Sequence, residues 1–288
     1  MTAELERGLA QPLSPALYIV ATPIGNLSDI SLRALTVLSR AAVIYCEDTR
    51  HSRTLLAHYA IKTTLKPYHE HNAAEQREHV LHALAAGRAV ALISDAGTPL
   101  VSDPGFKLVR EAAAAGYDVI GIPGASATLT ALTVAGLPTD AFFFAGFLPA
   151  REGARQTRIK ELGAVPGSLV LFEAPTRIAE TLRDLAAGLG NRPAAVTREL
   201  TKLHEDVRRG TLLELAEAFT GTETRGEIAI VVGPPLAADI SDDDIEQKLR
   251  TAMQTMSLRD AARAVSDALG VPKARVYDIG LALKSSDR

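Results

Sequence analysis

Over residues 17–122, short apolar runs alternate with longer stretches whose apolar residues recur at helical spacing. This predicts strands at Leu17–Ala21, Ala42–Cys46, Arg88–Ile93 and Tyr117–Ile122. Helices are predicted at Ser31–Arg40, His51–Tyr59, Asn72–Ala86 and Gly105–Ala115, the third stopping at Gly87, where a left-handed residue can close it. Apolar strands separated by helices imply a mostly parallel sheet covered on both faces. In such sheets ligands sit beyond the carboxyl ends of the strands.

After Pro123-Gly124 the pattern changes. Strands are predicted at Phe142–Ala145, Ser168–Phe172, Ala194–Arg198, Asp206–Gly210 and Ile228–Val232, and helices at Gly153–Leu162, Arg177–Leu189 and Leu212–Phe219. Charges interleave along Glu205–Thr211, as in a half-exposed antiparallel strand, so the second sheet should be mixed. The expected organisation is a loose arm over 1–16, an N-terminal α/β domain over 17–122 and a C-terminal α/β domain over 123–236. An acidic linker, Asp239–Asp244, then leads to a helical tail over 245–288. In that tail one amphipathic helix ends at Gly270 and Val271-Pro272 starts another, a helix-turn-helix pattern with Lys273, Arg275 and Tyr277 near the start of the second helix. Such a pair either contacts nucleic acid or packs on the core or on a partner subunit.

Composition narrows the partners. Of 288 residues 47% are hydrophobic and 23% charged, without Trp and with few aromatics, so the cores must be built from Ala, Val, Leu and Ile. A net charge of −3 offers no global attraction to nucleic acid, and any RNA contact must come from a local basic face. Cys46 has no partner cysteine and lies in an apolar run, which predicts a buried inert thiol in a reducing cytoplasm. The first residues lack a signal-peptide pattern, and apolar runs such as Ala141–Phe147 are far too short to span a membrane. No His, Cys and carboxylate cluster has metal-ligand spacing, so no metal is expected.

The chemistry concentrates where strands give way to turns. Thr22-Pro23-Ile24-Gly25-Asn26-Leu27 follows the first strand with one glycine where a dinucleotide site wants three, and Pro23 lacks an N–H for a phosphate. Glu47-Asp48 mimics the ribose-binding acid of that fold, yet the turn suits a ligand without phosphate. Ser94-Asp95-Ala96-Gly97-Thr98-Pro99-Leu100-Val101-Ser102-Asp103-Pro104-Gly105 leaves a buried strand and enters a helix. Its glycines let backbone approach a ligand, and Asp95 can accept from an ammonium or from ribose hydroxyls. Asp103 either does the same or caps the following helix. Ile122-Pro123-Gly124-Ala125-Ser126-Ala127 is a further strand-to-helix turn whose N–H groups can meet a carboxylate or an adenine edge.

These segments, in this order, with Val20–Leu27, Glu47-Asp48-Thr49-Arg50, Phe172-Glu173-Ala174-Pro175-Thr176-Arg177-Ile178, Arg198-Glu199-Leu200-Thr201-Lys202 and Arg225-Gly226-Glu227-Ile228, resemble the tetrapyrrole methylase superfamily. The likeness covers about residues 17–235 and is strongest to the branch that acts on small-subunit ribosomal RNA. It implies two α/β domains with S-adenosylmethionine in the cleft between them, and a homodimer. From the first domain Pro23, Gly25, Asp95, Ala96, Gly97, Thr98, Ser102, Ser126 and Ala127 would line that cleft. From the second, Phe172, Glu173, Leu200, Glu227 and Ala229 would close it. The implied reaction is 2′-O-methylation of a cytidine in the decoding region of the small ribosomal subunit. Thr176 stands where the family often has His, so no His-based role is expected there.

A ribose hydroxyl is a weak nucleophile, so a general base would help. Asp48, Glu47 and His51 are candidates after the second strand, with Glu173 across the cleft. Arg50, Arg53 and Arg177, with Lys273 and Arg275 in the tail, are candidate RNA contacts, Arg50 having an ion pair with Asp48 or Glu47 as its alternative. Two other functions fit parts of the pattern: a methylase of a tetrapyrrole or other small acceptor, and a ligand-linked helix-turn-helix regulator of DNA. The Glu47–Arg50 motif and the basic tail favour RNA over a porphyrin-like ring.

Overall fold

The computed structural model describes residues 2–103, 105–235, 241–269 and 271–286; the expected roles of Pro104, Asp239 and Gly270 lie outside the described residues. Within the stretch expected to be a loose arm, Thr2–Ala10 form helix α1. Leu5, Gly8 and Leu9 are its less exposed positions, one helical stripe, and Gly8 lies against Thr36 of helix α2 (Leu32–Arg40). The spacing of two leucines, too sparse to stand out in the sequence, is enough to seat one short helix.

Between α1 and α2 runs strand β1 (Leu17–Val20). Then follow β2 (Val43–Cys46), α3 (Thr49–His58), β3 (Leu65–Pro67), α4 (Ala73–Ala85), β4 (Val90–Ile93), α5 (Phe106–Ala114) and β5 (Val119–Ile122). The strands form one parallel sheet of order β3-β2-β4-β1-β5. Alternate strand residues bury on opposite faces: Tyr18, Val20, Ile44 and Ile93 pack against α2 and α3, whereas Leu17, Tyr45, Val90 and Leu92 pack against α4 and α5. β3, with three residues, carries too little pattern to be read from sequence and is specified by its pairing with β2. Cys46 is buried, and burial raises its thiol pKa.

From β5 the chain passes into α6 (Ala127–Ala135), capped at its start by Ser126 and closed by left-handed Gly136. The rest of this half is β6 (Phe142–Phe147), α7 (Glu152–Leu162), β7 (Ser168–Glu173), α8 (Ile178–Leu189), β8 (Pro193–Arg198), β9 (Asp206–Thr211), α9 (Leu212–Phe219) and β10 (Ile228–Val232). The sheet is mixed, of order β6-β7-β10-β8-β9, with β6 parallel to β7 and the other pairs antiparallel, as the charge pattern of β9 predicts. One face packs on α7, α8 and α9. The other packs on α6 through Ala131, Leu132 and Ala135, joined by Ile24 from the first half. Buried Arg155 of α7 pairs with Glu180 and, at 2.6 Å, with Asp184 of α8.

Everything through Pro234 forms one compact unit, and Pro235–Arg288 forms a second. The second contains α10 (Asp242–Met253), α11 (Leu258–Leu269) and α12 (Lys273–Ser286) around Ile245, Leu249, Leu258, Val265, Val276 and Leu283. The described part of the acidic linker is not a linker. Ser241 and Asp244 form a capping box, and Asp242–Asp244 are the first turn of α10, where negative charge complements the helix dipole. No helix among the described residues is long and apolar enough to cross a membrane.

Candidate active site

The strand order brings the turns after β2, β4, β1 and β5 side by side along one edge of the parallel sheet. They are fastened together. Thr22 and Gly97 exchange two main-chain hydrogen bonds, 2.9 and 3.0 Å, and the Thr22 hydroxyl donates to Ser94 O. Thr98 donates to Ala125 O, and the Asp48 N–H donates to Asp95 Oδ1 at 3.0 Å. Gly97 has φ +79, and a Cβ there would press on Ile24 at 3.3 Å. Leu100 and Ser102 adopt left-handed φ values of 72 and 68, and across the cleft Glu199 and Thr201, either side of Leu200, do so at 52 and 66.

The second sheet presents its own edge opposite. Because β7 and β8 both run antiparallel to β10, their carboxyl ends meet its start: Glu173 and Arg198 face Ile228, and Phe172 and Thr197 face Ala229. α6 follows β5 after a short turn and packs on the second sheet, joining the two edges. Between them lies a cavity of about 490 Å³.

Of the residues expected to hold the cofactor, Asp95, Ala96, Gly97, Thr98, Ser102, Ser126, Ala127, Phe172, Glu173, Leu200, Glu227 and Ala229 line this cavity. Pro23 and Gly25 are not among its lining residues; Ile24, between them, is. A Cβ on Gly25, at φ +157, would fall 2.4 Å from Lys202 Cγ, so this glycine accommodates a lysine stem. Lys202 in turn pairs with Glu199 at 2.8 Å and Glu227 at 3.1 Å, which holds its stem against the first half's turn at Gly25. Lining residues without a clear sequence signal are Thr128, Phe147 and Thr197; only the register of β8 against β10 brings Thr197 there. Asp103 lines it too and does not cap α5, whose N-cap is Gly105.

The cavity chemistry is one-sided. Among the described residues it is lined by Asp95, Asp103, Glu173 and Glu227 and by no Lys, Arg or His, with apolar walls from Ile24, Phe147, Phe172, Leu200 and Ile228. Such a lining repels a pyrophosphate and suits a nucleoside carrying positive charge, which is the fit S-adenosylmethionine requires. No cluster of His, Cys, Asp and Glu able to hold a metal occurs among the described residues.

Of the base and RNA candidates, only Glu173 lines the cavity. Asp48 caps α3 through Arg50 N–H, and its carboxylate pairs with the Arg50 guanidinium at 2.7 Å, which lowers its pKa to about 2. Arg50 is therefore engaged within its own turn. Glu47 and His51 are exposed and do not line the large cavity; Glu47 lines a narrow pocket beside it with Asp103. Glu173 is buried with both oxygens occupied: Oε1 accepts from Ala174 N–H and Arg177, and Oε2 accepts from Thr181 at 2.7 Å. Arg177 is thus committed to Glu173. Arg53 and Lys273 are exposed, and Arg275 pairs with Asp242 at 2.6 Å.

Two facing sheets, a cleft at the strand ends and this lining define a methyltransferase of the tetrapyrrole methylase fold. Residues 16–216 match the family of Tetrapyrrole (Corrin/Porphyrin) Methylases, and residues 239–284 match the RsmI C-terminal HTH domain. The chain is 50% identical over 279 residues to Ribosomal RNA small subunit methyltransferase I of Mesorhizobium japonicum, covering 96% of this chain and 95% of that one. It is 42% identical to the protein of that name from Pseudomonas aeruginosa, with coverage of 92% and 96%. A similar solved fold is the uroporphyrin-III C-methyltransferase of Thermus thermophilus complexed with S-adenosylhomocysteine, with a TM-score of 0.52 and 21% identity over 75% of this chain and 97% of that one. The chain belongs to the ribosomal RNA small subunit methyltransferase I family.

Proposed function

We propose that the chain transfers a methyl group from S-adenosylmethionine to the ribose 2′-hydroxyl of a cytidine in the decoding region of small-subunit ribosomal RNA. The observation that carries this is the cavity itself, sized for a nucleoside and lined by carboxylates with no basic side chain among the described residues. S-adenosylmethionine supplies an electrophilic methyl group on a cationic sulfur. Asp95 and the backbone of Ala96–Thr98 hold the ligand from one side, while Phe172, Leu200 and Ala229 exclude water from the other. The N-terminus of α6 at Ser126 offers N–H groups to a carboxylate.

The acceptor comes from the names of the relatives, which favour RNA over a tetrapyrrole or a DNA-regulatory role. Exposed Arg53 and Lys273 provide local positive charge for phosphates despite the acidic total, while Arg275 is paired with Asp242. Cytoplasmic location follows from a ribosomal substrate. We also infer a homodimer, supported by edge strand β6, on which Phe142, Phe143 and Phe147 are 43%, 39% and 60% exposed. The deciding experiment incubates the protein and methyl-labelled S-adenosylmethionine with small subunits from cells lacking the modification. Label on one cytidine ribose is expected; label on no ribose of the subunit or its naked RNA overturns the reading.

A further inference from the structure

Four carboxylates line the cleft, and three are already engaged. Glu173 is saturated by Ala174, Arg177 and Thr181. Asp95 accepts the Asp48 N–H, and Glu227 is paired with Lys202. Asp103 accepts from Ser94, and among the described residues no cation pairs with it. It lines the cofactor cavity and also the narrow pocket shared with Glu47 and Tyr68, so it stands between the cofactor and the Glu47–Arg50 turn expected to face RNA.

Resting on the function proposed above, we propose that Asp103 is the general base that takes the proton from the acceptor ribose hydroxyl. In this step the acceptor oxygen bonds to the methyl carbon as the carbon–sulfur bond breaks, its electron pair going to sulfur. The hydroxyl proton passes to an Asp103 carboxylate oxygen and then to solvent. Charge balances: the cationic donor becomes a neutral thioether, and the base is protonated.

The surroundings prepare Asp103 for this. Burial first, and then the negative charge of Glu47, raise its pKa to about 6; a Ser94 hydrogen bond opposes the shift and Asp95 adds to it. The groups around it are therefore Glu47 after β2, Tyr68 after β3 and Ser94 with Asp95 after β4, none of them cationic. A base is most effective when its pKa lies near the working pH. Asp48, the residue after Glu47, is held near 2 by Arg50 and cannot serve so well.

Three measurements test this. Carboxyl-carbon NMR of the whole protein should show a resonance titrating near pH 6, absent from Asp103→Asn; an Asp103 resonance titrating near pH 4 overturns the assignment. Asp103→Asn should bind S-adenosylhomocysteine within about threefold of wild type by calorimetry, confirming a folded cleft, while subunit methylation falls at least ~100-fold. Turnover within tenfold of wild type, or lost binding, overturns it, the latter by making Asp103 part of the cofactor cradle. Glu47→Gln should move the acidic limb of the kcat/KM profile to lower pH; loss of that limb would make Glu47 the base. A wild-type protein that labels no ribose defeats the function reading, and this assignment with it; a wild type that labels RNA beside an equally active Asp103→Asn defeats only the assignment.

Discussion

Asp95 Oδ1 accepts the main-chain N–H of Asp48 at 3.0 Å, tying the loop that lines the cofactor cavity to the turn after β2. One carboxylate thus serves two motifs separated by 47 positions in the chain. Asp95→Ala removes both the tie and a negative charge from the cavity. Affinity for S-adenosylhomocysteine in calorimetry should fall tenfold or more, matching a loss of about 1.4 kcal/mol or above. Asp95→Asn keeps an acceptor for the Asp48 N–H and should lose less. Unchanged affinity in the alanine variant would remove Asp95 from the site.

Gly25 and Lys202 make the second cross-tie. A methyl group at Gly25 would meet Lys202 Cγ at 2.4 Å and push the lysine off Glu199 and Glu227. Gly25→Ala should cost about 1–3 kcal/mol in urea denaturation, the range for forcing atoms into a packed contact. Pairing it with Lys202→Ala opens the space, so the double variant should cost less than the two single variants added. Strict additivity would show that the contact carries no coupling.

Much of this was legible in the chain. The period of the apolar residues predicts both sheets, and the turns rich in Gly, Pro and Asp predict most of the cavity wall. What escaped depends on distance in the fold. β3 exists because β2 offers it an edge, and Thr197 reaches the cavity through its register with Ala229. The need for glycine at position 25 comes in part from a lysine in the other half of the unit, which sequence does not show. The acid–base behaviour of Asp48 and Asp103 was equally hidden. Sequence places both near the same edge, and only the surroundings separate an Arg-paired capping carboxylate from a half-buried one among like charges.

Glu173 is predicted to be structural as well as cavity-lining. Its side chain is fully buried and accepts from Arg177, Thr181 and the Ala174 N–H. Glu173→Gln substitutes an NH₂ group for one acceptor and strips the charge opposite Arg177. Removing one member of a buried ion pair typically costs about 3–5 kcal/mol, and denaturation should register a loss of that order. A loss below about 1 kcal/mol would mean that Arg177 finds compensation elsewhere.

Asp103 should make the protein less stable as it becomes ionised. Its pKa is raised from 3.8 to about 6 in the fold, so the folded state holds the proton more tightly than the unfolded chain. The stabilisation from that proton is complete below about pH 3.8 and lost as pH rises through about 6. Asp103→Asn removes the ionisation altogether. Its Tm should therefore exceed that of wild type by a few degrees at pH 8, with a smaller difference at pH 4.5. The opposite ordering would mean that the carboxylate is stabilised in the fold, against the burial and like charges that surround it.

The C-terminal helices make the last prediction, because their two candidate RNA contacts differ. Arg275 is paired with Asp242 at the start of α10, so replacing it alters the helical unit before it alters any phosphate contact. Lys273 is exposed at the first position of α12, where a cation gains nothing from the helix dipole and removing it should leave the fold unharmed. Lys273→Ala is therefore the cleaner probe. If this helix meets phosphates, the variant should keep its melting temperature and its affinity for S-adenosylhomocysteine. Its binding to small subunits should weaken, with the slope of log affinity against log salt shallower by about one. An unchanged slope would assign the helical unit to packing, leaving Arg53 and the turn after β2 as the RNA-facing surface.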